Sequence, residues 1–264
     1  VLHGVAFLDA TPEQLRALVA YLRAFCTEPG WPSGNLNFPR PMFTEKAFPE
    51  NEVVIVPAVS HRDGDRAGFV LRSVYERRLG RRAHAEIGVP LESVGAGQRS
   101  TGLGDISVAG KYVLHTNRAT TSIVTAGLEV TLPTGNESRG LGGGTTVFEP
   151  YVASGMAFGR AFLQGHVKFE FPVRDPWSDR ELVYNVYLGR SLDDTPATWT
   201  FGVELNGVEK EVALTPQARK ALTRTGALAA AAGVRIPIIN RSAQPVRYVG
   251  YLLWEYLDPV RPRP

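Results

Sequence analysis

The stretch TSIVTAGLEVTL, residues 121–132, decides the fold because its apolar and polar side chains alternate with a period of two. Even-numbered residues from Ser122 to Leu132 form a mainly apolar face, whereas threonine, glycine and Glu129 dominate the opposite face. Side chains of a β-strand point alternately to its two sides, so the pattern predicts a strand with one apolar and one polar surface. The same alternation occurs in residues 83–91, 105–114 and 161–171.

Continuing along the chain, the alternation predicts twelve strands, most of them 10 to 14 residues long. They cover residues 53–59, 67–79, 82–92, 103–115, 120–132, 145–158, 161–173, 181–192, 197–206, 211–223, 226–238 and 246–257. Strands of soluble proteins are usually about 5–6 residues long, whereas a tilted strand that crosses a membrane needs about 9–11. Strand length therefore favours a transmembrane barrel over a soluble sandwich or a soluble lipid-binding barrel.

The predicted connections alternate between short and long, which is typical of outer-membrane barrels with short periplasmic turns and longer external loops. We therefore predict an all-β protein, an antiparallel up-and-down transmembrane β-barrel of about 12 strands over residues 53–258, followed by a tail at 259–264. An even strand count returns both termini to the periplasm. The link 207–210 is short for an external loop, so a count of ten strands stays open.

Composition excludes several other classes. The 264 residues carry a net charge of only +3 without a basic cluster, so we expect no nucleic-acid partner. The longest apolar run, 226–234, is far shorter than the roughly 20 residues of a membrane-spanning helix. A single cysteine, Cys26, excludes an internal disulfide framework. Aromatic residues near strand ends fit either an interfacial girdle or an ordinary core; they are Trp177, Tyr184, Trp199, Phe201, Tyr248, Tyr251, Trp254 and Tyr256.

The first part of the chain follows a helical pattern instead. Thr11-Pro12-Glu13-Gln14 combines an N-cap threonine, a proline at the first helical position and a capping-box glutamine. An apolar stripe follows at helical spacing, formed by Leu15, Leu18, Val19, Leu22 and Phe25. Residues 29–52 contain four prolines without any period, which predicts an extended linker between the helix and the barrel.

The polar strand faces supply the candidate functional residues. Ten side chains are predicted to line the lumen: His84, Glu86, Asp105, Lys111, Glu129, Gln164, His166, Lys168, Glu170 and Arg235. Both charge signs are present, so these groups form either a structural network or the wall of a permeation path. Twelve strands lie between packed eight-stranded barrels and wide porins, which predicts a narrow or partly plugged pore. The sequence contains no pattern of a catalytic or metal site, and we predict that the protein is not an enzyme.

Several motifs together resemble a known family. These are Gly102-Leu-Gly-Asp-Ile-Ser107 with Lys111-Tyr112, Ala126-Gly-Leu-Glu129 leading to Leu132-Pro-Thr-Gly135, Leu214-Thr-Pro-Gln217 and Gly233-Val-Arg-Ile-Pro237. They are similar to motifs of outer-membrane transporters of the phenol meta-pathway type. The resemblance covers residues 67–257 and implies a β-barrel in the outer membrane of a Gram-negative bacterium. It also implies contact with outer-membrane lipid and a small, often aromatic, substrate, while the oligomeric state stays open.

Residues 1–28 resemble a different protein, because the helix from Thr11 is similar to the last helix of class I c-type cytochromes. The Cys-x-x-Cys-His attachment motif is absent from this sequence. We therefore expect no cofactor on this chain; haem c could bind only to a segment upstream of Val1, if one is missing. Without its cytochrome partner the helix is expected to pack poorly on the barrel. An alternative function follows, in which the barrel anchors a periplasmic cytochrome domain that transfers electrons.

Overall fold

The computed structural model describes residues 11, 13–14, 36–61, 68–95, 99–174, 180–195, 198–241 and 245–256. Within them the strands are β1 Glu52–His61, β2 Gly68–Leu79, β3 Ala83–Val94, β4 Ser100–Leu103, β5 Ile106–Asn117, β6 Ser122–Leu132, β7 Val147–Phe158, β8 Ala161–Pro172, β9 Glu181–Ser191, β10 Trp199–Val208, β11 Glu211–Ala221, β12 Leu228–Ile239 and β13 Val246–Glu255. A short 3₁₀ helix spans Glu137–Arg139. No helix of the described residues is both long and apolar enough to cross a bilayer.

Every strand pairs antiparallel with its neighbours, and β1 pairs with β13, so the sheet closes into a barrel. Strand β3 pairs with both β4 and β5, so these two share one position and the barrel has twelve positions. The prediction of an all-β barrel of about 12 strands is confirmed. The predicted strand 103–115 is longer than expected, since it starts at Ser100 and is interrupted at Gly104 and Asp105.

The two faces of the strands differ as the alternation predicts. On β8 the outward side chain of Val167 is 45% exposed, whereas the inward side chain of His166 is 6% exposed. Large apolar side chains cover the outer surface around the barrel, among them Leu128, Phe169 and Trp254. A continuous apolar surface of this kind marks contact with lipid. Tyr251 does not belong to an aromatic girdle, because it lies inside the barrel, where its hydroxyl donates to Arg40 O at 2.6 Å.

The barrel has two distinct ends. Glu52 and Glu255 are register partners at one end, here called the terminal end. Connection 133–146 between β6 and β7 is the longest and marks the opposite end, here called the loop end. The alternation of connection lengths is weaker than predicted, because Glu209 and Lys210 form a two-residue turn at the loop end. Strand β10 nevertheless pairs with β11 over its whole length, so the count of ten strands is wrong.

The predicted capping box is present, because Thr11 N donates to Gln14 Oε1 at 2.9 Å and Gln14 N donates to Thr11 Oγ1 at 3.2 Å. The apolar stripe from Leu15 to Phe25 lies outside the described residues. The predicted linker 29–52 differs from expectation over its described part. Residues 36–51, here called the lumen segment, have almost no regular structure but lie buried inside the barrel.

Burial of the lumen segment has two causes. At the terminal end, Leu36, Phe38 and Phe48 pack into an apolar cluster that includes Phe162 of the barrel wall. The ring centroids of Phe38 and Phe162 are 5.8 Å apart. Nearer the middle of the barrel, polar side chains of the strands bind the backbone of the segment, which has few internal hydrogen bonds of its own. Prolines without a period predict the lack of regular structure, but they carry no information about where the segment packs.

Candidate functional site

The lumen segment enters from the terminal end, reaches the middle of the barrel and returns. Near the terminal end, Glu50 N donates to His84 Nδ1 at 3.1 Å and Gln164 Nε2 donates to Pro39 O at 2.8 Å. At mid-barrel, Glu45 N donates to His166 Nδ1 at 2.7 Å. The tip of the segment, residues 42–45, therefore forms a floor across the lumen.

A single carboxylate of the wall holds this tip. The Glu204 side chain, which is 0% exposed, accepts hydrogen bonds from the backbone N–H groups of Met42 (2.5 Å), Phe43 (3.1 Å) and Thr44 (2.7 Å). The Thr44 hydroxyl donates to the same carboxylate at 2.8 Å, and Gln217 Nε2 donates to it at 2.5 Å. Hydrogen bonds to a charged acceptor are stronger than neutral ones. Glu204 is thus the main anchor of the segment to β10.

Ion pairs between the segment and the wall reinforce this anchor. The Arg40 guanidinium pairs with Glu52 and, at 2.6 Å, with Glu76. In the other direction, Lys111 Nζ of β5 donates to Glu45 at 2.8 Å and to the carbonyl oxygen of Lys46 at 2.5 Å. Both cations form pairs across the boundary between segment and wall. Removing the segment therefore deprives Glu52, Glu76 and Lys111 of the wall of these partners.

The loop-end half of the lumen contains a second ionic network, made by strand residues alone. Glu129 accepts from Arg72 at 2.8 Å and from Lys168 at 3.1 Å. Lys168 also pairs with Glu149 at 2.6 Å, and the Thr131 hydroxyl donates to Glu149 at 2.8 Å. Arg72 also lies 3.6 Å from Glu86. Carboxylates and cations from β2, β3, β6, β7 and β8 thus compensate each other in this half of the lumen.

A cavity of about 580 Å³ lies between this network and the opposite wall. Its floor includes Phe43 and Glu45 of the lumen segment, and its walls include Glu170, Arg235 and Arg247. Most of the lining strand residues belong to the loop-end half of the barrel, so the cavity faces the long connection 133–146. The arrangement provides a polar, charged compartment large enough for a small solute and bounded below by the segment.

The structure places the ten predicted side chains in three groups. Glu86, Glu129, His166, Lys168, Glu170 and Arg235 line the cavity. His84, Lys111 and Gln164 contact the lumen segment. Asp105 differs, because its carboxylate accepts from Gly135 N at 2.8 Å and Gly143 N at 2.7 Å. Asp105 lies in the interruption between β4 and β5, so its side chain does not point into the lumen as predicted. It holds connection 133–146 at the loop end instead.

An exposed ion pair further fixes the same connection. Arg174 Nη1 lies 2.8 Å from Glu137 Oε1, and Arg174 Nη2 donates to Gly144 O at 2.5 Å. The hydrogen bond from Arg174, together with its charge, lowers the pKa of Glu137 below its ordinary value. Connection 133–146 is thus an ordered element of the loop end and not a free flexible loop.

The sequence reasoning missed several lumen residues. Glu204 is preceded by the alternation Trp199-Thr-Phe-Gly-Val203, whose polar phase already points inward and could have identified it. Arg247 of β13 and Arg72 of β2 lie on inward faces of the same kind. Arg40 carries no such signal, because it lies in the aperiodic segment.

Two groups of side chains among the described residues have ligand atoms close enough to hold a metal ion. One group consists of Glu50, Glu52 and Glu255, where Lys46 already pairs with Glu50 and Arg40 pairs with Glu52. The other group lies on β2 and β3. The ligand atoms of Glu76, His84 and Glu86 lie within 4.8 Å of one another. Arg40 already binds the Glu76 carboxylate at 2.6 Å, and His84 Nδ1 accepts from Glu50 N. Glu76 Oε2 and His84 Nε2 have no hydrogen-bond partner among the described residues, so these contacts engage only one atom of each side chain. The Arg40 guanidinium nevertheless already supplies a positive charge to the Glu76 carboxylate.

A closed antiparallel barrel with an apolar outer surface and a polar, partly filled lumen defines the class: this is a transmembrane β-barrel of the outer-membrane type. The sequence makes the assignment more specific. Residues 70–234 match the family described as "Putative MetA-pathway of phenol degradation", and the chain belongs to this family. The resemblance found in the motifs is thereby confirmed. No curated protein matches the chain.

Three solved structures have a similar fold. An outer-membrane channel from Pseudomonas putida F1 matches with a TM-score of 0.62 and 15% identity, over 83% of this chain and 100% of that one. The KdgM porin in complex with disordered oligogalacturonate has a TM-score of 0.54 and 10% identity, over 77% and 99% of the two chains. The NanC porin also has a TM-score of 0.54 and 10% identity, over 78% and 100%. At these identities the likeness shows the fold alone.

Proposed function

We propose that this protein is a channel that admits small solutes, some of them aromatic, through the outer membrane. The observation that carries the proposal is the cavity of about 580 Å³ inside the barrel, with charged walls and a floor made by the lumen segment. A barrel packed solely for stability would fill this space with side chains. Solutes enter from the loop end, and the terminal end, where both ends of the barrel sequence meet, faces the periplasm.

The lumen segment restricts the path at mid-barrel. The segment is held in the lumen by hydrogen bonds and ion pairs, which water or neighbouring groups can replace. Its covalent connection to the barrel is through β1. Passage therefore requires that the tip at 42–45 moves away from Glu204, or that a solute passes beside it. Both routes predict a small conductance for the native protein.

The test is reconstitution of the full chain into liposomes and planar bilayers. We expect small ionic currents and uptake of small solutes above the level of empty liposomes. The variant Ala109→Trp places a large ring in the cavity and should lower both signals. Its matched control is Ala126→Trp on the outward face of β6, which should behave like the native protein.

The proposal fails if the native protein gives neither current nor solute entry, or if Ala109→Trp conducts as well as the control. The alternative function, an anchor for a cytochrome domain, rests on the helix whose apolar stripe lies outside the described residues. It therefore stays a prediction from the sequence.

A further inference from the structure

Two arginines on the cavity wall face each other across adjacent strands. Arg235 of β12 and Arg247 of β13 are direct register partners, and both line the cavity. Like charges directly opposite each other on one face of a sheet are destabilising. A pair of this kind needs a counter-charge or water to compensate the repulsion. The groups around the pair therefore indicate whether the protein or a ligand supplies the compensation.

The protein itself supplies little compensation. Among the described residues, no carboxylate lies within 4.0 Å of either guanidinium, and neither guanidinium donates a hydrogen bond to a described group. Glu211 on β11 opposes the repulsion from Arg247 in part, but it forms no ion pair with Arg235. The contrast with Arg72 of β2 and Lys168 of β8 is clear, since both are bound to Glu129.

Ser60 of β1 is the other register partner of Arg247, and apolar side chains lie on the same part of the cavity wall. The guanidinium carbon of Arg235 lies 5.9 Å from the centroid of the Phe43 ring, at the tip of the lumen segment. Val249 on β13 and Val208 on β10 line the same cavity. Two unpaired guanidinium groups next to a ring and aliphatic side chains match a ligand that has an anionic group on one side and an apolar body on the other.

We propose that Arg235 and Arg247 form a binding site for a carboxylate-bearing solute whose apolar or aromatic body packs against Phe43. The carboxylate supplies the negative charge that the pair lacks, and both guanidinium groups donate hydrogen bonds to it. This inference deepens the proposed function, on which it rests for access to the cavity, by naming the substrate class. The bidentate fork of arginine suits a planar carboxylate better than a point cation would.

The test measures binding separately from transport. The full chain in lipid nanodiscs is titrated calorimetrically with benzoate, benzyl alcohol and acetate, and the heats of empty nanodiscs are subtracted. We expect benzoate to bind at least about tenfold more tightly than either the uncharged alcohol or the ring-free anion. Replacing both arginines, Arg235→Gln with Arg247→Gln, should weaken benzoate binding by about tenfold or more. Arg190→Gln, on the outward face of β9, removes the same charge and should leave the affinity unchanged.

Equal affinity of benzoate and benzyl alcohol for the native protein would overturn the role of the arginine pair. Equal affinity of benzoate and acetate would overturn the role of Phe43 and the apolar wall. These comparisons use the native chain, so they decide the matter even if the double variant fails to fold. Tight benzoate binding without solute uptake into liposomes would support the site and contradict the proposed channel. Solute uptake without selective benzoate binding would support the channel and contradict the site.

Discussion

Replacing Glu204 by glutamine is expected to release the lumen segment without opening the barrel. The carboxylate accepts from three backbone N–H groups of the segment and from the Thr44 hydroxyl. In glutamine, one of the two terminal atoms becomes an NH₂ group, so at least one backbone N–H then faces a donor. The remaining bonds lose their charged acceptor. Losing one charge-assisted bond and weakening the others amounts to about 3–5 kcal/mol for docking of the segment.

A change of this size shifts the equilibrium between the docked and undocked segment by a factor of about 10²–10⁴. The ladder between β10 and its neighbours does not involve the carboxylate, so the strands should stay paired. Two measurements report on the segment: the open-state conductance in planar bilayers, and cleavage by trypsin after Lys46, whose side chain is only 3% exposed when docked. Both should rise in Glu204→Gln.

The control is Asp194→Asn, which removes one negative charge from a connection at the terminal end. Asp194 makes only a solvent-exposed ion pair, 3.5 Å from Arg160, and such pairs contribute little to stability. Conductance and trypsin cleavage should match those of the native protein. The reasoning about Glu204 is refuted if Glu204→Gln also behaves like the native protein while circular dichroism shows an intact barrel.

Three further outcomes are expected. Leu128→Arg on the lipid-facing side of β6 should impair membrane assembly by about 2–4 kcal/mol, whereas Leu128→Ala should assemble, as judged by the yield of heat-modifiable barrel in gels. Glu129→Gln leaves Arg72 with a weaker partner and should lower the free energy of unfolding in urea by about 1–3 kcal/mol. An unchanged urea midpoint would contradict this prediction. The pKa of Glu137 is lowered in the folded protein, so its pairing with Arg174 is fully present above the ordinary value of 4.5 and is lost as the pH falls below it. Connection 133–146 should therefore become sensitive to pepsin at low pH in the native protein, while Arg174→Gln should already be sensitive near pH 4.5 and show less pH dependence.

The barrel could be predicted because its signal is local. Alternation within a strand such as 121–132 depends on that strand's two environments, lipid and lumen, and these are the same at every position around the barrel. Strand limits and the inward phase of most candidate residues follow from this pattern. The pattern gives the wrong direction for Asp105, because an interruption between β4 and β5 turns its side chain toward connection 133–146.

The lumen segment could not be predicted for the opposite reason. Its position depends on contacts with partners far away in sequence, for example Glu45 with His166 and Met42 with Glu204. None of these contacts leaves a periodic pattern in the sequence. The prolines of the segment are equally compatible with an extended chain in solvent. The role of Arg247 could not be predicted, because a single charged residue near the start of a strand is typical of any strand end. Only the strand register shows that Arg235 lies directly opposite it.

The position of the lumen segment directly before β1 has a consequence for how the barrel assembles. The seam that closes the sheet joins β1 to β13, the first and last strands, so closure must bring together parts of the chain that are far apart in sequence. The segment contacts β3, β5, β6, β8 and β10 as well as the start of β1. It can therefore gather hairpins around itself while the seam is still open, which lowers the entropy lost at closure. On this view the segment is an internal template: chains without it should fold more slowly, with an unzipped seam as their slowest intermediate.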